Sequence, residues 1–114
     1  MVDADSIRDI VAQYADHGWK LRRVLVDSKD IVSDPKVAEI LADADVRISK
    51  LCALWFSRRS RPDREAWELR QLSASPYAMV EVIPDDVDDD DRESRLRAVE
   101  TQMMEHTKRP ETSH

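Results

Sequence analysis

One glycine, Gly18, stands in a chain of 114 residues. A loop that cradles phosphate needs several glycines, because only glycine lets the backbone approach an anion closely and take positive φ without steric cost. The count rules out a Walker A loop and a dinucleotide fingerprint, and with them the commonest ATP, GTP and NAD sites. Cysteine is as rare. Cys52 is alone, so no intramolecular disulfide framework can form.

Gly18 also marks the end of a first helix. Ile7, Ile10, Val11 and Tyr14 fall at i, i+3, i+4 and i+7, the stripe of an amphipathic helix. Asp5 or Ser6 can cap its start, with Asp9 three residues after Ser6 in the manner of a capping box. Glycine at the position after the C-cap closes it, so helix is predicted over 4–17. Residues 19–26 read as a strand, with Trp19, Leu21 and Leu25 on one face and Val24 and Val26 on the other. Ser33-Asp34-Pro35 is a helix start in which Asp34 caps and Pro35 takes the first helical position. Val37, Ile40, Leu41 and Ala44 keep the helical spacing, and a second helix is predicted over 35–44.

Residues 46–57 read as the longest strand. Val46, Ile48, Cys52, Leu54 and Phe56 share one face, interrupted by Lys50, and Leu51, Ala53 and Trp55 share the other. An arginine-rich loop over 58–64 leads to a strand over 65–72, with Trp67 and Leu69 on one face. A turn at 73–76 precedes a strand over 77–83, where Tyr77, Met79, Glu81 and Ile83 alternate with Ala78, Val80 and Val82. Pro84 ends the sheet. A third helix over 88–108 carries a narrow apolar stripe of Leu96, Val99 and Met103. Acids before it, with Lys108 and Arg109 at its end, suit the macrodipole. Asp88/Arg92, Asp91/Arg95, Glu93/Arg97 and Glu105/Arg109 are i, i+4 pairs with the acid first.

The order α-β-α-β-β-β-α predicts one small α+β domain over 1–109, followed by a disordered tail at 110–114. About four strands would form a mixed or antiparallel sheet. The first two could be parallel through the second helix, and the last three would form an antiparallel meander. Hydrophobic residues make up 41%, enough for one core, and charged residues 37%, which implies a large solvated surface. The net charge of −6 repels nucleic acid and anionic membrane on average. Residues 1–5 lack the basic and apolar regions of a secretory signal, and no apolar stretch approaches the roughly 20 residues of a membrane span. The expectation is a cytoplasmic protein that does not engage membrane.

Arg58, Arg59, Arg61 and Arg64 are the most unusual cluster, since they gather in an acidic chain with Trp55, Phe56 and Trp67 on the flanking strands. Arginine beside aromatic rings can hold phosphate and stack bases, and the same residues anchor protein interfaces. The plainer alternative is a solvated hairpin loop over two core tryptophans. Asp86, Asp88 and Asp90 fit positions 1, 3 and 5 of an EF-hand loop, but Asp91 stands where glycine is needed and Arg97 where a bidentate acid is needed. The acidic run reads as a helix N-terminus, and no metal site is expected. Cys52 reads as a small core residue. His17, His106 and His114 have no partners at ligand spacing, and no Gly-x-Ser-x-Gly elbow exists.

These observations predict a non-enzymatic binding or assembly domain without cofactor or nucleotide. Its partner is expected to be another protein or a second copy of itself. Trp55, Arg58, Arg59, Arg61, Arg64 and Trp67 are the expected partner-binding residues, and Met103 and Met104, with methionine's adaptability, the expected oligomer contact. The alternative is a nucleic-acid-associated regulator acting through the arginine loop. Salt dependence separates the two.

Overall fold

The computed structural model describes residues 4–27, 33–72 and 77–108. It is α+β: α1 (Ala4–Asp16), β1 (Lys20–Val26), α2 (Pro35–Ile40), β2 (Asp45–Ile48), β3 (Ala53–Arg61), β4 (Arg64–Gln71), β5 (Ala78–Pro84) and α3 (Asp89–Lys108). The five strands form one sheet in the order β2-β1-β3-β4-β5. β1 and β2 are parallel across α2, and β3, β4 and β5 form an antiparallel meander. Both connections follow the expectation. The turn at 73–76, the tail and the Glu105/Arg109 pair fall partly or wholly outside the described residues.

Five strands rather than about four arise because the run 46–57 breaks in two. Lys50, the charge that interrupts its apolar face, marks the break. The Ser49 N–H bonds the Val26 carbonyl at 2.8 Å, and the Ser49 hydroxyl accepts from the Leu51 N–H at 3.2 Å. The chain thereby leaves its place beside β1 and returns on the other side of it, antiparallel, as β3.

Local signals account for the ends of the helices. Asp34 caps α2 by accepting from the Lys36 N–H at 2.9 Å, with Pro35 next. Asp88 caps α3 by accepting from the Asp91 N–H at 2.8 Å. α1 begins at Ala4, so Asp5 and Ser6 lie within its first turn instead of capping it. At its other end Gly18 has φ +83°. The Gly18 N–H bonds Ala15 O at 3.0 Å and the Trp19 N–H bonds Tyr14 O at 2.9 Å, the paired closure of a Schellman motif.

The two faces of the sheet are covered differently. α3 lies on one face, where Leu96, Val99 and Met103 pack on Leu25, Ala53, Trp55, Trp67, Leu69 and Ile83. α1 and α2 lie on the other, where Ala4, Ile7, Val37 and Leu41 pack on Val24, Val26, Leu54 and Phe56. Ile10 and Tyr14 are half-buried at the margin of this second core. β1 departs from the alternation expected of it. A register shift between Leu21 and Arg23 inserts a bulge. Trp19 and Leu21 therefore join Val24 and Val26, while Leu25 goes to the α3 side.

Candidate functional site

The arginine cluster is not a free loop. β3 runs on to Arg61 and β4 starts at Arg64, so residues 62–63 alone turn the hairpin. A guanidinium beside a carboxylate pairs with it, and two of these four arginines have such a neighbour. Arg59 binds Asp85 at 2.6 Å and Arg64 binds Asp63 at 3.3 Å; the pairing with Arg64 lowers the Asp63 pKa. Arg58 lies over the Trp19 ring, 4.7 Å from its centroid, and donates to His17 O at 2.8 Å. Arg61 is exposed at the turn. The acidic segment after β5 thus sits against the hairpin tip, and the Asp85 N–H also bonds Asp63 O at 2.9 Å.

Trp55 and Trp67, expected to meet a partner, are 0% and 1% exposed. Strand parity and the cover of α3 explain the burial. Trp55 opposes Leu69, and Trp67 opposes Ser57, all on the face beneath α3. The two rings meet edge to face with centroids 6.1 Å apart. Trp55 donates its indole N–H to Glu100 at 2.8 Å, and Trp67 donates to Glu65 at 3.0 Å. Arg22 and Arg23 approach the Trp67 ring, and Arg23 is paired with Glu93 of α3. That pairing is the first cause holding the Glu93 carboxyl below its ordinary pKa.

The methionines expected at an oligomer contact lie against the same core. Met103 is 0% exposed and Met104 is half-buried against the same core, because α3 lies flat on the strands and turns both inward. His106 stacks on Tyr77, with ring centroids 3.9 Å apart.

The surface left open lies elsewhere, on the β4–β5 half of the α1 face. Ala78, Val80 and Val82 of β5 share this face with Ala66, Glu68 and Arg70 of β4, to which they are paired. α1 stops short of them. Val80 is 54% and Val82 44% exposed. Among the described residues, Val46 and Ile48 on the opposite edge are the other large apolar side chains that stand open.

A hollow of about 350 Å³ separates α1 from this open strip, lined by Gln13, Tyr14, His17, Trp19 and Glu68. The Schellman closure of α1 builds it by bringing Trp19 against Tyr14, edge to face at 6.1 Å. Tyr14 stacks on Phe56 at 3.9 Å, and its hydroxyl donates a hydrogen bond to the Glu68 carboxylate. Burial, then the bond to Glu68, pushes the Tyr14 pKa well above its ordinary value. Burial likewise raises the Cys52 thiol. Both shifts favour the protonated forms of these groups. His17 lines the hollow and is exposed.

Sequence reasoning saw β5 as apolar on both faces but had no means of telling which face would stay open. Among the described residues no group of three or more His, Cys, Asp or Glu is placed to hold a metal ion, and no helix is long and apolar enough to cross a membrane. Comparison with protein-family models, curated proteins and solved structures finds no match.

Proposed function

We propose that this chain is a non-enzymatic protein-interaction or assembly domain whose contact surface is the open strip of β5. The observation that carries this reading is the exposure of Val80 and Val82, 54% and 44%, in the middle of an edge strand. Apolar side chains cost free energy in water, about 25 cal/mol per Å². A row of them beside a partly polar hollow suits a protein contact with an apolar centre and a polar rim. A lone thiol suits the reducing cytoplasm as the place of action.

The nucleic-acid reading loses its support. Arg59 and Arg64 are paired with Asp85 and Asp63, and the acidic segment adjoins the hairpin. A long polyanion laid on Arg58 and Arg61 would meet those acids well within the Debye length of roughly 8 Å.

The test is the double substitution Val80→Lys with Val82→Lys. Both positions are solvent-facing, so stability should change by no more than about 0.5 kcal/mol. Sedimentation over a concentration series, with the protein alone and with any isolated partner, should show association for the wild type and none for the variant. Association unaltered by the two lysines would contradict the reading.

A further inference from the structure

β5 offers a backbone edge as well as an apolar face. In an antiparallel pair the residues alternate between those that exchange hydrogen bonds with the neighbour and those whose N–H and C=O point away from it. The phase here is set by two bonds. The Gln71 N–H bonds Tyr77 O at 2.8 Å, and the Asp85 N–H bonds Asp63 O at 2.9 Å. The register between β4 and β5 runs from Arg64↔Pro84 to Arg70↔Ala78 without a shift. Tyr77, Met79, Glu81, Ile83 and Asp85 are therefore in phase and turn their backbone toward β4. Ala78, Val80 and Val82 turn theirs outward, where β5 ends the sheet.

We propose that β5 pairs with β5 of a second copy, antiparallel and centred on Val80, so that one sheet runs through both molecules. This rests on the reading of the β5 strip as the contact surface, and it names the partner and the register.

Parity narrows the choices. Outward residues bond only with outward residues, so the two-fold axis must pass through a residue position. Centred on Val80, the strand pairs Val80 with Val80 and Ala78 with Val82 of the other copy, and of its outward residues leaves beyond the end of the partner strand only Pro84, which has no N–H to give. Centred on Glu81, it would set two glutamates opposite each other and pair Ala78 with Pro84, which has no N–H to give. Centred on Met79, it would leave Val82 beyond the end of the partner strand. The Val80 register also joins the two apolar strips side by side on the same face, and on the α3 face it brings Glu81 opposite Met79.

Charge favours the same arrangement. The acids that follow Pro84 lie at one end of β5. At the other end Arg70 pairs with Ala78. An antiparallel two-fold sends each acidic end toward the partner's Arg70 end, whereas parallel pairing would lay acid against acid. The β2 edge is less suited to the role. It is four residues long, and its Arg47 is held by Asp45 and Glu93; short and charged edges resist pairing. Because each copy carries −6, association should tighten as salt rises.

Cysteine cross-linking tests the register. Val80→Cys, Glu81→Cys and Val46→Cys are oxidised under identical dilute conditions, with the wild type, which retains Cys52, as control. Val80→Cys should form covalent dimer at least about tenfold faster than the others, since its two Cα atoms come within disulfide reach. Faster cross-linking through Glu81→Cys, or equal rates for Val80→Cys and Val46→Cys, overturns the proposal. A wild type that sediments as a monomer throughout does so as well. A dimer that the two lysines dissociate but that Val80→Cys fails to trap would associate face to face. That result removes the edge pairing and leaves the reading of the strip intact.

Discussion

Val82 and Ile83 are neighbours of nearly equal apolarity, yet Val82 is 44% exposed and Ile83 3%. The difference lies in what covers each face of β5. On the Ile83 side α3 spans 20 residues and lies across the sheet. On the Val82 side α1 has 13 residues and α2 six, and both pack toward β1 and β3. One half of the molecule buries its apolar side chains beneath a helix, and the other leaves a row of them exposed. Substitutions on the two sides should separate accordingly.

The largest effect is expected beneath α3. Trp67→Ala removes a ring packed against Trp55 and should destabilise by about 3–5 kcal/mol in urea unfolding. A loss as small as that of an exposed residue would mean that this face is not sealed.

A smaller effect is expected where α3 is tied to β1. Glu93→Gln leaves the buried Arg23 guanidinium without its counter-charge and should cost about 2 kcal/mol at neutral pH. The folded carboxyl has a lowered pKa, so its contribution is complete above the unfolded value and is lost as pH falls through the folded one. Unfolding curves for wild type and Glu93→Gln should therefore converge as the solution is made acidic. A gap that persists below the carboxylate range would assign the loss to packing.

The smallest effect on stability belongs to the open strip, where the Val80→Lys and Val82→Lys pair should leave unfolding nearly unchanged while abolishing association.

Much of the architecture was legible because its signals are local. Asp34-Pro35 starts a helix by capping chemistry alone, Gly18 ends one by its φ, and the Leu96, Val99 and Met103 stripe needs only the helical period. The bulge in β1 was not legible. It depends on how Leu21 and Arg23 meet β3, and a one-residue slip sends every later side chain to the opposite face. Trp55 and Trp67 adjoin arginines in the chain, and no local signal shows that α3 covers the face they share. The open strip was hidden for a third reason. An apolar run on both faces of a strand signals burial on both, and only the resting place of α1 reveals that Val80 and Val82 remain uncovered.

If β5 pairs with a second copy, amide hydrogen exchange should report it residue by residue. In dilute solution the amides of Met79, Glu81 and Ile83, which face β4, should be protected, and those of Ala78, Val80 and Val82 should exchange freely. Raising the concentration should slow the second set selectively, with Val80 among the slowest. Outward amides that exchange at one rapid rate at every concentration would contradict the account.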